Sequence, residues 1–351
     1  MAKKSKKLNL ALQGGGAHGA YTWGVLDRLL EEEDIEIEAI SGTSAGAMNG
    51  AVLIDGYARG GRIGAQENLR KFWQAVSASS CVFSPIKQSP LEQIQAGWNL
   101  DSSAAYSWFD MVSRMFSPYE LNPLNLNPLR DVLEQIVDIK HLRHCNSIDF
   151  FATATQVRTG QARVFSREEM SIDVLLASAC IPLLFQSIEI DGEAYWDGGY
   201  MGNPSIWPLI YNTQCNDFLL VQINPIEREG TPHRAMEIIN RLNEITFNAS
   251  LVSEMRAINF VKKLINEGKL DDEEYKNIRM HMIESPKMGK GLNASSKLNT
   301  DFEFFEYLHG LGYGSAQRFL RKHKNDIGKQ ATLDIEAVFL RKHKKHYKKR
   351  A

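Results

Sequence analysis

Residues 8–58 set out one short plan twice. Leu8–Leu12 alternates, Gly14–Gly19 is a glycine-rich turn, and Ala20–Glu33 places Val25, Leu26, Leu29 and Leu30 at helical spacing. Ile35–Ile40 then alternates apolar and acidic residues, Gly42-Thr43-Ser44-Ala45-Gly46 turns the chain, and Ala47–Ala58 reads as a helix rich in small residues. Two strands joined through a helix cannot form a hairpin; the crossover returns the second strand parallel to the first. This opening predicts an α/β fold, a three-layer sandwich with a central, largely parallel sheet flanked by helices.

Downstream, a helix is predicted over Glu67–Val76, followed by a Pro-, Asn- and aromatic-rich stretch. Residues 80–130 are either a lid over a site or an ordinary surface insertion. Leu129–Val137 and Ile172–Ala179 read as helices. Ile148–Val157 with Ala162–Phe165, and Ser187–Ile190 with Glu193–Trp196 around Asp191-Gly192, read as hairpins. Phe218–Ile223 and Arg279–Ile283 are further strands. From His233 the texture shifts to long amphipathic stretches, Met236–Lys263 the longest, with shorter helical segments at Phe302–Leu308 and Ile335–Leu340. A soft boundary near Tyr211–Asn216 divides the chain into a catalytic domain (8–212), a helix-rich C-terminal extension (213–335) and a basic tail (336–351).

Composition narrows the function classes. With 43% hydrophobic and 24% charged residues and a net charge of −1, the chain suits a globular protein and lacks the basic footprint of a nucleic-acid binder. Cys81, Cys145, Cys180 and Cys215 are far apart and form no C-x-x-C pair, so no zinc site or disulfide framework is signalled. The lysine-rich N-terminus lacks the apolar stretch of a signal peptide, and Val174–Phe185, broken by Ser178 and Pro182, is too short to span a bilayer. A cytoplasmic protein is expected. Asp271–Glu274 has no metal-ligand spacing and reads as a helix start.

Three motifs carry chemistry. Gly42-x-Ser44-x-Gly46 between a strand and a helix reads either as a plain small-residue turn or as a nucleophile elbow, in which the turn exposes the serine hydroxyl and the glycines let the chain pass without clash; its place directly after a strand favours the elbow. Gly14-x-Gly16-x-x-Gly19 permits two readings. It matches a dinucleotide fingerprint, with Glu36 and Glu38 about 20 residues on, and it equally suits an oxyanion hole of exposed backbone N–H groups. Asp197-Gly198-Gly199, directly after a strand, offers a positioned carboxylate to take the proton a serine must lose. A Ser–His–Asp triad with His233, His281 or His309 as base stays open beside it.

Together Gly14-Gly15-Gly16-Ala17-His18-Gly19, Gly42-Thr43-Ser44-Ala45-Gly46 and Asp197-Gly198-Gly199 resemble the patatin-like phospholipase family, as does Ala177-Ser178-Ala179-Cys180-Ile181-Pro182. The resemblance covers roughly Leu8–Leu209. It implies hydrolysis of lipid acyl esters by a Ser–Asp dyad without metal or organic cofactor. Ser44 would be the nucleophile and Asp197 the base. Gly15 and Gly16 would hold the oxyanion in a loop shaped by Gly14, and Gly19, Gly42, Gly46, Gly198 and Gly199 would be the motif glycines. His18 departs from the Arg or Lys frequent in the family and is uncharged near neutral pH unless perturbed. The region after Asn216 resembles a C-terminal extension of a bacterial subset. The partner implied is a lipid or other acyl ester. Arg341–Arg350, with seven Lys or Arg, is either an attractor of anionic membrane or a solvated terminus.

Overall fold

The computed structural model describes residues 5–83, 97–101, 103–271, 274–289 and 291–340. Part of the 80–130 segment, the Asp272–Glu273 pair, the Cys81 side chain and tail residues 341–351 lie outside them.

In chain order the elements are β1 (Lys6–Leu12), α1 (Gly19–Leu30), β2 (Ile35–Thr43), α2 (Ala45–Phe83), α3 (Ala104–Met115), α4 (Pro128–Ile136), α5 (Ile139–His144), β3 (Asp149–Gln156) and β4 (Ala162–Ser166). There follow α6 (Ile172–Ser178), β5 (Ile188–Ile190), β6 (Glu193–Asp197), α7 (Trp207–Asn212), β7 (Asp217–Val221), α8 (Ala235–Asn266), β8 (Arg279–Ile283) and α9 (Phe302–His323). α2 is interrupted by non-helical backbone at Gly60 and Gly61, so it contains the two helices expected over Ala47–Ala58 and Glu67–Val76.

One eight-stranded sheet runs β5-β6-β3-β2-β1-β7-β8, with β4 also on β3. β3, β2, β1, β7 and β8 are parallel, and β4, β6 and β5 are antiparallel. β4 follows one edge of β3 along Phe151–Thr155. On the other edge β2 pairs with Asp149–Thr153, and β6 takes over at Ala154–Gln156. The end of β2 and the end of β6 therefore meet on successive rungs of one strand. β7 and β8 follow the expected boundary at 212/213 yet continue the same sheet, β7 pairing with β1 along Asn9–Leu12.

Side chains alternate across the strands, and helices cover both faces. Leu8, Leu10 and Leu12 join a core with α1, α2, α4, α6 and α9, whereas Ala11, Phe218 and Leu220 face Leu209 of α7 and Leu251 and Met255 of α8. This is the expected three-layer α/β sandwich. α9 extends well past the expected Phe302–Leu308, through three glycines that weaken a helical signal in the sequence. Their use lies in the fold: a Cβ on Gly312 would come within 2.0 Å of the Tyr21 carbonyl oxygen, so α9 lies backbone to backbone on α1.

Candidate active site

The site is built at the carboxyl ends of the parallel strands. β2 ends at Thr43, and Ser44 turns the chain into α2 with a positive φ of 53°, a conformation costing a non-glycine residue on the order of 1–3 kcal/mol. Neighbours enforce it. A Cβ on Gly46 would lie 2.1 Å from the Leu12 carbonyl oxygen, and one on Gly42 2.7 Å from Ala47 N. The Ser44 N–H donates to Ser178 Oγ at 2.9 Å, and Ser178 in turn donates to the Thr153 carbonyl at 2.7 Å. Ser44 is 7% exposed, which leaves little room for bulk water at the nucleophile.

Asp197 closes β6 opposite Ala154, one rung beyond the Thr43–Thr153 pair, and is buried. Its N–H donates to the Cys180 carbonyl at 2.8 Å, and its own carbonyl accepts from Thr155 Oγ1 at 2.8 Å. Burial pushes the carboxyl up to about 6, against the opposing pull of the Gly199 N–H, the Ser44 hydroxyl and the charge of Lys297. Gly199 N donates to Asp197 Oδ1 at 2.6 Å. A Cβ on Gly198 would strike the Thr153 carbonyl oxygen at 2.1 Å, so the chain leaves Asp197 flat against β3.

The glycine loop joins this pair. A Cβ on Gly14 would lie 2.6 Å from the Ser44 Cβ, and one on Gly19 2.6 Å from the Ala45 Cβ. The Gly14 N–H is already used, donating to Asn203 Oδ1 at 2.6 Å, and the Gly14 carbonyl accepts from Asn224 Nδ2 at 2.8 Å. Among the described residues no acceptor engages the N–H groups of Gly15 or Gly16. His18 is buried, with Nε2 2.8 Å from Ser296 Oγ, and burial together with Lys297 and Arg228 holds it well below its ordinary pKa. It is neutral. The cation beside the loop is Lys297, whose Nζ donates to Asn224 Oδ1 at 2.7 Å.

The rival assignments do not converge here. Glu36 and Glu38 lie in the first half of β2, the end opposite the glycine loop, and Glu38 accepts from the N–H groups of Gln214 and Cys215. Neither acid expected to hold a dinucleotide ribose lies on this rim. His281 bonds Asp217 at 3.0 Å, His309 bonds Asp27 at 2.8 Å, and His233 is exposed. No histidine among the described residues bonds Ser44 or Asp197. Residue-by-residue reading missed Ser178, Asn203, Asn224 and Lys297. Ser178 lies in a stretch that resembles the family, but its acceptor role appears only when β3 and α6 are in place.

A strained serine, a buried carboxyl within its reach and unengaged loop amides make up the equipment of a serine acyl hydrolase. The sequence matches the Patatin-like phospholipase family over residues 10–210, more than half of the chain. The chain belongs to that family, which implies a serine lipid acyl hydrolase. A Patatin-like phospholipase domain-containing protein of Caenorhabditis elegans is 27% identical over 285 residues, covering 73% of this chain; the chain spans only 18% of that relative's length. Among solved structures, VipD from Legionella pneumophila aligns with a TM-score of 0.41 at 16% identity, covering 92% of this chain and 68% of that one. The type III effector ExoU aligns with a TM-score of 0.35 at 14% identity, covering 92% of this chain and 54% of that one. At such scores neither likeness carries an argument about this chain.

Proposed function

We propose that the chain hydrolyses carboxylic esters of lipids, as a phospholipase A or lysophospholipase does, through an acyl-enzyme on Ser44 with Asp197 as its base. The Ser44 hydroxyl attacks the ester carbonyl and its proton passes to Asp197. The oxyanion is held by the N–H groups of Gly15 and Gly16. Collapse expels the alcohol, which takes the proton from Asp197. Water then attacks the acyl-serine as one of its protons passes to Asp197, and Asp197 hands that proton to Ser44 Oγ as the fatty acid leaves, restoring both residues. The observation that carries this reading is the juxtaposition of Ser44 with a buried carboxyl to which no histidine among the described residues is bonded.

The test is turnover of a p-nitrophenyl acyl ester together with labelling by a fluorophosphonate probe. Ser44→Ala is expected to abolish both in a folded protein; retained turnover removes Ser44 from the mechanism. Hydrolysis of a mixed lipid extract, read by mass spectrometry against Ser44→Ala, identifies the natural substrate.

We read residues 213–335 as the C-terminal extension of the bacterial subset, here supplying structure to the site. The protein is proposed to work in the cytoplasm, peripherally at anionic membrane. The basic run Arg341–Arg350 supports this, as do the exposed apolar side chains Trp108, Met111, Met115 and Phe116 on and beside α3. No helix of the described residues is long and apolar enough to cross a membrane.

A further inference from the structure

Both peptide groups flanking Gly14 are held by asparagines from outside the loop: Asn203 takes the N–H and Asn224 supplies a donor to the carbonyl. A trans peptide points its C=O and the following N–H in opposite directions. Fixing the Gly14 carbonyl therefore fixes where the Gly15 N–H points. The bond from Asn224 demands that its amide present Nδ2, not Oδ1, to that carbonyl. The two ends of an amide are nearly the same size, and shape alone does not choose between them. A second partner must choose, and Lys297 is placed to do so. An ammonium carries donors only, and Nζ lies 2.7 Å from Asn224 Oδ1. The 3.5 Å approach of Asn224 Nδ2 to Gln13 Oε1 is too long to add much.

Lys297 also touches the loop through its main chain. A Cβ on Gly16 would lie 2.5 Å from the Lys297 carbonyl oxygen, so the two backbones are in close register. Its one-turn helix, Ser295–Leu298, also carries the Ser296 hydroxyl that meets His18. No ion pair of Lys297 forms among the described residues, and its sequence position lies far outside the matched family segment.

We propose that Lys297 is a positioning residue of this site: through the Asn224 amide it orients the peptide between Gly14 and Gly15 and so aims the Gly15 N–H at the oxyanion. The proposal rests on the reading of this loop as the oxyanion-holding element. Losing one such donor lowers kcat by about 100- to 1000-fold, and misaiming one rather than deleting it sets the expected loss lower.

The experiment compares wild type, Lys297→Met, Lys297→Arg and Asn224→Asp for turnover of p-nitrophenyl butyrate, phosphonylation rate at Ser44 and thermal melting. Lys297→Met is expected to lower kcat about 10- to 100-fold with KM within about three-fold, because only the transition state gains the oxyanion contact. Lys297→Arg, which keeps a donor-only cation, is expected to recover most of the loss. Asn224→Asp keeps the lysine contact but sets an acceptor against the Gly14 carbonyl, and is expected to lose as much as Lys297→Met. If Lys297→Met does not fold, the recovery in Lys297→Arg against the loss in Asn224→Asp carries the same test. A folded Lys297→Met enzyme with kcat within about two-fold of wild type, or a loss confined to KM, overturns the role of Lys297. A wild-type protein that neither turns over the ester nor takes the probe overturns the hydrolase reading beneath it.

Discussion

Ser44 and Asp197 are bound by different constraints, and each yields its own expectation. Ser44 keeps its positive φ partly because Ser178 Oγ accepts its N–H. Ser178→Ala leaves that buried N–H unsatisfied, and is expected to destabilise the fold by about 1–3 kcal/mol; a denaturant titration reads it. Asp197 acts only when ionised, and burial has pushed its carboxyl up to about 6. The kcat/KM profile is therefore expected to rise ten-fold per pH unit up to about pH 6 and then level. An acid limb more than a unit below that would place the base elsewhere. Asp197→Asn is expected to cost as much as Ser44→Ala, since the two act as one unit. These two residues were legible in the sequence because each needs glycines beside it to avoid a clash, and such needs are written locally. Asn203, Asn224 and Lys297 were not. A single Asn or Lys carries no sign of the carbonyl or amide it will meet across the fold.

Among the elements, two buried carboxyls shift in opposite directions, so they divide the pH dependence of stability. Asp217, on β7, is raised by burial but more strongly lowered by His281, Arg279 and the Gly328 N–H, and comes to rest at about 2. A carboxyl depressed on folding contributes stability above its unfolded pKa, and this is lost as pH falls from about 4 through 2. Asp217→Asn leaves Arg279 and buried His281 of β8 without their anion and is expected to cost about 3 kcal/mol at neutral pH, measured by denaturant unfolding. Glu254, on α8, goes the other way. Burial raises it to about 7 even though it accepts from the Ile206 and Trp207 N–H groups at the start of α7. The folded state there holds a proton that the unfolded chain has released, so stability falls as pH rises from about 4.5 to 7. Glu254→Gln keeps an acceptor and is expected to flatten that slope, gaining up to about 3 kcal/mol at pH 8; a variant with the wild-type slope would show that Glu254 titrates normally. The strands and helices themselves were largely readable, because alternation and helical spacing are local. α9 was underread, since its glycines weaken a helix signal and make sense only against the α1 backbone. The neighbour of β7 was hidden too, because strand order depends on crossovers that no periodicity encodes.

On the scale of the whole molecule, the family match at residues 10–210 is shorter than the unit that holds the site together. β1, the strand that delivers the glycine loop, lies inside the sheet, between β2 and β7. A chain ending at Asn212 would leave one edge of β1 unpaired, expose Ala11 to water where Phe218 and Leu220 now share its core, and strip α9 from α1. α1 is buried over most of its surface, including Tyr21 and Trp23, and each large apolar side chain so exposed costs about 1.5–3 kcal/mol. Several such losses exceed the 5–15 kcal/mol by which a domain is ordinarily stable. The fragment 1–212 is therefore expected to lack a cooperative melt and near-ultraviolet circular dichroism, and to take no fluorophosphonate at Ser44. The fragment 1–340, which loses only residues 341–351, is expected to keep all three. If 1–212 instead melts cooperatively and labels at Ser44, then β1 closes the sheet without β7, and the loop finds its geometry without Asn224 or Lys297.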